Sequence, residues 1–106
     1  MKIVKVSYVK YADTFSSRLI GYMFQTRPYR SEVKIFENCK SIHTFNMRFS
    51  LDILFLDSQN RVIKRFLSVP SGRILKSVKG AQKVVEAPSG LFNSIEEDEV
   101  VLFEGV

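Results

Sequence analysis

Seven side chains in this sequence carry groups suited to holding a ligand or moving a proton: Arg18, Cys39, His43, Asn46, Arg48, Asp52 and Glu86. His43 is the only histidine, and Cys39 is the only cysteine. A histidine titrates near neutrality, so it can serve as acid, base or ligand. Cys39 precedes it by four residues. On an extended strand the two point to the same side, yet too far apart for a nucleophile–base pair unless the chain bends. Asp52 and Glu86 are acids set among apolar neighbours, Leu51 and Ile53 in one case, Val85 and Ala87 in the other. A buried carboxylate needs a partner. Arg18 and Arg48 are candidates, because a guanidinium matches a carboxylate with paired hydrogen bonds. Two arrangements follow. One is an internal network that fixes a turn and a helix. The other is a polar pocket floor on which His43, Asn46, Arg48, Asp52 and Glu86 converge, with Arg18 beside them.

Other chemistries find less to work with. One histidine, one cysteine and scattered carboxylates offer no metal-ligand spacing. The sequence has no phosphate loop, nucleophile elbow or dinucleotide fingerprint. Neither a metal nor a cofactor is expected. Ser71-Gly72 and Ser89-Gly90 read as turn dipeptides.

The elements that must position these groups are mostly strands. Residues 2–9 read as one strand, with Ile3, Val4, Val6, Tyr8 and Val9 as its apolar content. Asp13 or Thr14 can cap a helix whose apolar face carries Phe15, Leu19, Tyr22 and Met23. Pro28 stops it. Val33–Phe36 is a short strand. Phe45, Met47, Phe49, Leu51, Ile53 and Phe55 then occupy every second position, which is the period of a strand with one buried face. From Leu51 to Leu56 both phases turn apolar, as in a central strand. Asp57–Asn60 is a turn leading into a second strand, Arg61–Val69, to form a hairpin. Ala81–Ala87 and Val100–Glu104 are further strands. The expected fold is mainly β (β-rich α+β). It is a small closed sheet or barrel with one short helix in the N-terminal half, a single domain over residues 1–106.

Size and charge bound the partners. A chain of 106 residues can bury a core without staples. No apolar run reaches the roughly 18 residues that span a bilayer, and one cysteine suits a reducing compartment. The expectation is a soluble, cytoplasmic protein. The net charge is +5 and unevenly placed. Between Arg61 and Lys83 there are seven basic residues and no acid, and an acidic run, Glu96–Glu99, follows. Such a separation suits an anionic partner or contacts between opposite patches. Only Phe66 interleaves with the basic run, a thin platform for stacking bases.

Three blocks resemble one family. Arg18-Leu-Ile-Gly-Tyr-Met-Phe24 resembles its Arg-x-x-Gly-Leu-Met-Phe element, and Val85-Glu-Ala-Pro-Ser-Gly90 its Leu-Glu-x-Pro-Ala-Gly element. Ile42–Asp57 resembles its central block in the form that begins Ile-His-Thr. The family is domain of unknown function 192, also called uncharacterised protein family 0127. The resemblance implies a compact β-rich fold with a short helix and supplies no mechanism. Its other form carries Trp where this chain has His43, which favours a lining or packing role there over acid–base catalysis. Position 50, usually Pro, is Ser50 here, so the turn before the strand loses a fixed φ.

The resulting expectation is a binding or accessory module with a polar pocket near residues 42–52 and 86, taking a small polar ligand or a protein segment. One alternative is an enzyme using His43 with Asp52 or Glu86. Another is nucleic-acid binding through residues 61–83.

Overall fold

The structure is a computed structural model that describes residues 1–12, 32–44 and 49–105. Nine strands are described: β1 (Lys2–Val6), β2 (Tyr8–Ala12), β3 (Glu32–Glu37), β4 (Ile42–His43), β5 (Leu51–Leu56), β6 (Val62–Val69), β7 (Ile74–Leu75), β8 (Lys83–Pro88) and β9 (Val101–Gly105). Five of them make one sheet in the order β2-β3-β8-β5-β6. Its pairs are antiparallel except β2–β3, which is parallel. β1 and β9 form a separate parallel ribbon, and β4 and β7 a separate antiparallel one.

Every residue of β5 is buried, which is why both of its phases are apolar. Successive side chains alternate between the two faces of the sheet. On one, the Leu54 face, Val33, Ile35, Leu54, Leu56, Val85 and Ala87 pack against Val6, Val101 and Phe103 of the β1–β9 ribbon, with Phe92 and Ile95 from the following loop. On the other, the Ile53 face, Phe36, Leu51, Ile53, Phe55 and Val84 meet Ile42, Leu75 and Val78 from the β4–β7 region. The described chain is therefore layered: ribbon, sheet, ribbon.

This layering corrects the expectation of a closed sheet or barrel. A sheet apolar on both sides must be covered on both sides, and two ribbons supply the cover. Closure would instead leave one face as a barrel exterior in water. A single bridge, Arg61 to Val100, links β6 to the segment entering β9. The same need divides the strand expected over residues 2–9. The chain bends at Ser7, so β1 lies in a ribbon and β2 in the main sheet. Among the described residues there is no helix; the stretch expected to be helical, from Asp13 to Met23, lies outside them.

The hairpin forms as its sequence indicates. The Asp57 carboxylate accepts hydrogen bonds from the N–H groups of Gln59 (2.8 Å) and Arg61 (2.9 Å). Asn60 takes the left-handed conformation, φ 64°, which Asn tolerates. Farther along, β6 carries an irregularity. Leu51 pairs with Val69 but Ile53 with Phe66, so one extra residue is accommodated, and Ser68 has φ 53°.

Candidate functional site

The β5–β8 register sorts the two buried acids. Asp52 lies opposite Ala87, and Ile53 lies opposite Glu86. Asp52 therefore belongs to the Leu54 face and Glu86 to the Ile53 face. The structure does not bring these carboxylates together on one pocket floor.

Asp52 is completely buried and fully employed. Its Oδ1 accepts from the Ser68 N–H at 2.9 Å, and its Oδ2 from the N–H groups of Gly90 (2.9 Å) and Phe92 (3.0 Å). One carboxylate thereby holds the extra residue of β6 and the turn after β8. Three backbone hydrogen bonds offset the cost of burying this side chain. Among the described residues, the partner expected from a guanidinium is supplied by the main chain.

Glu86 has a different environment. On β8 it sits between Lys34 of β3 and Ile53 of β5. Its Oε2 is buried, with no hydrogen-bond partner among the described residues. Burial pushes its carboxyl up to about 8, against the pull of the Lys34 charge. Lys34 is buried too, and burial lowers its pKa, opposed by Glu32, helped by Lys10 and opposed again by Glu86. Glu32 lies two residues before Lys34 on the same face of β3 and is likewise buried. Glu32, Lys34 and Glu86 thus form a buried charged corner of the Ile53 face, and the exposed Lys10 lies beside Lys34 on β2.

Glu32 and Lys34 are absent from the residues singled out in the sequence. Their alternation with Val33 and Ile35 reads as a solvated strand face. The signal that identifies them is phase: both share the phase of Phe36, which is buried. Glu86 likewise shares the phase of Val84.

The remaining candidates are spread out. His43 is half-buried on β4 and pairs with Ile74, between the packed Ile42 and the fully buried Thr44. Thr44 Oγ1 donates to the Pro70 carbonyl (2.8 Å) and accepts from the Arg73 N–H (2.9 Å). The Cys39 thiol donates to the Ser41 carbonyl at 3.0 Å, while its side chain packs on the Ile53 face. Arg18, Asn46 and Arg48 lie outside the described residues. Among the described residues, no three His, Cys, Asp or Glu side chains gather where they could hold a metal ion.

The basic run does not form one surface. Arg61 donates to the Asp98 carbonyl (2.7 Å), and Arg65 to the Ile95 carbonyl (2.5 Å). Lys83 donates to Asn60 Oδ1 (2.7 Å). Lys64, Arg73, Lys76 and Lys79 remain exposed. An open groove of about 570 Å³ is lined by Met1, Lys2, Arg61, Asp98, Glu99 and Val100. Its cations are engaged: Lys2 reaches the Ser94 carbonyl and, at 4.0 Å, Glu99.

Comparison with known proteins places this arrangement. A UPF0127 protein of Thermococcus kodakarensis is 34% identical over 86% of this chain. Another, from Pyrococcus horikoshii, is 36% identical over 82% of this chain and 77% of its own length. The chain spans only 60% of the length of the Thermococcus kodakarensis relative and 62% of that of a UPF0127 protein from Thermococcus gammatolerans. A crystal structure of a protein of unknown function from Novosphingobium aromaticivorans shares the fold, with a TM-score of 0.73 at 23% identity over 83% of this chain and 69% of that one. The family model described as Uncharacterized ACR, domain of unknown function 192, matches residues 2–103, nearly the whole sequence, and this chain belongs to that family.

Proposed function

We propose that this chain is a non-enzymatic binding or accessory module. Its ligand-contacting groups centre on Glu86 and Lys34 of the Ile53 face; Arg18, Asn46 and Arg48, expected beside them, fall outside the described residues, and His43, paired with Ile74, takes the other side of its ribbon. One observation carries the reading. Glu86 is buried and holds an oxygen without a hydrogen-bond partner among the described residues. Buried polar atoms are nearly always satisfied, so an exception marks a place where a donor from elsewhere fits. A small polar ligand or an extended protein segment bearing an amine, amide or hydroxyl supplies that donor. Asp52 takes no part, because its oxygens already accept three backbone hydrogen bonds. The lone cysteine is in keeping with a cytoplasmic, reducing setting.

A second reading draws on the raised Glu86. A carboxyl still protonated near neutrality is suited to act as a general acid. It differs from the first in what becomes of the bound compound.

The test is a screen of small polar compounds and short peptides by amide NMR. Shifts are expected at residues 32–36, 42–44 and 84–86. Glu86→Gln should weaken binding while the thermal transition is retained, and the ligand should be recovered unchanged. Shifts confined to the groove at Arg61, or undiminished binding by Glu86→Gln, would overturn the proposal. Recovery of a converted compound would favour the enzyme.

A further inference from the structure

The exposed cations of the basic run gain a neighbour that the linear sequence hides. Backbone hydrogen bonds from the Thr44 N–H to the Arg73 carbonyl (2.8 Å) and from the Val78 N–H to the Lys40 carbonyl (3.1 Å) tie the strand β4 region to the β7 region. Lys40 thereby joins Arg73, Lys76 and Lys79, and all four side chains are exposed. Ile74 stands among them, 63% exposed, the most exposed aliphatic side chain among the described residues after Met1. The opposite side of this ribbon is closed off, since Ile42, Leu75 and Val78 pack on the Ile53 face. The outward side of this ribbon thus carries cations around Ile74 and its cross-strand partner His43.

Among the described residues, no carboxylate forms an ion pair with these four cations. The sequence has no acid from Asn38 to Leu51 or from Ser58 to Val85. Asp57 turns its carboxylate into its own turn, and Glu37 lies opposite Lys83. The acidic run lies against β6: the Arg65 N–H donates to Glu97, and Lys2 is near Glu99.

We propose that the outer face of the β4–β7 ribbon is a contact surface for an anionic lipid bilayer. Cations around an exposed aliphatic side chain match a surface that offers negative headgroups above an apolar interior. A nucleic acid fits less well. None of the residues 72–80 is aromatic to stack on a base.

The experiment is co-sedimentation of the full chain with vesicles, either pure phosphatidylcholine or phosphatidylcholine and phosphatidylserine in equal parts. The expected result is binding to the anionic vesicles alone, weakened by added salt. Replacing Lys40, Lys76 and Lys79 together by Gln should lower partitioning roughly hundredfold, on the scale of about fivefold per cation removed. Ile74→Ser should lower it severalfold, and Lys5→Glu, on the other ribbon, should leave it nearly unchanged. Ile74→Ser also keeps the test decisive if the triple variant fails to fold. Equal binding to both vesicles, or no binding to either, would overturn the proposal, as would binding unaltered by Ile74→Ser and salt. Displacement from the vesicles by duplex DNA at equal phosphate concentration would show that a nucleic acid is the better partner.

Discussion

Asp52 and Glu86 lie on neighbouring strands, one register position apart, and both are buried. Their situations are otherwise opposite. On the Leu54 face, three main-chain donors converge on Asp52, two of them from the turn after β8 and one from the irregularity in β6. On the Ile53 face, Glu86 keeps an oxygen without a donor among the described residues and shares its corner with Lys34 and Glu32. The same amount of burial therefore goes with a satisfied carboxyl in one place and an unpartnered oxygen in the other. What separates them is whether the fold itself supplies the hydrogen bonds.

Replacing Asp52 should produce the largest effect. Asp52→Ala strands three backbone N–H groups and should cost about 3 kcal/mol or more, measured by denaturant unfolding. Asp52→Asn keeps one acceptor oxygen but turns an NH₂ toward a donor, so roughly 2 kcal/mol is expected. A negligible loss in both would erase the contrast between the two acids.

The pH dependence sharpens the other side. Glu86 is raised from 4.5 to about 8 in the folded chain. The folded state thus binds more protons than the unfolded state between these values. Its contribution is full below pH 4.5 and is lost as pH rises through about 8. The loss should be on the order of a few kcal/mol across that window. Lys34 has the opposite sign: a lowered lysine holds fewer protons when folded, so its contribution grows as pH rises toward 10.5. Glu86→Gln should flatten the decline seen on the way to pH 8, with little change in stability at acidic pH. A decline of the same size in this variant would assign it to another group. The smallest effect belongs to Lys10→Gln. This exposed cation helps lower Lys34, so its removal should move the Lys34 titration slightly upward, followed by NMR of the lysine side chain.

Local signals were readable wherever the information was local. The Asp57–Asn60 turn, the hairpin and the fully buried β5 follow from turn chemistry and apolar phase within a short stretch. Val33–Phe36 likewise lies within β3, and Ala81–Ala87 overlaps β8. Which acid shares a face with which is a matter of register between β5 and β8, strands far apart in the chain, and composition carries no trace of it. Layers in place of a barrel, and the division at Ser7, depend on which distant strands cover which face. Glu32 and Lys34 were obscured because a polar phase ordinarily means solvent, and here it shares a face with Phe36. The chemistry expected of Arg18, Asn46 and Arg48 falls outside the described residues.

The pairing of β1 with β9 joins Lys2 to Val101 and Val6 to Gly105. In time rather than in space, this makes β1 the strand that waits. Its inward residue Val6 has no β-partner during synthesis until residues 101–105 have been made, and the cover over the Leu54 face is the last to be laid down. Closing so long a loop between parallel strands is slow. Between the completion of β8 and that of β9 the Leu54 face therefore lacks its cover, which is the interval in which a holding chaperone has something to grip.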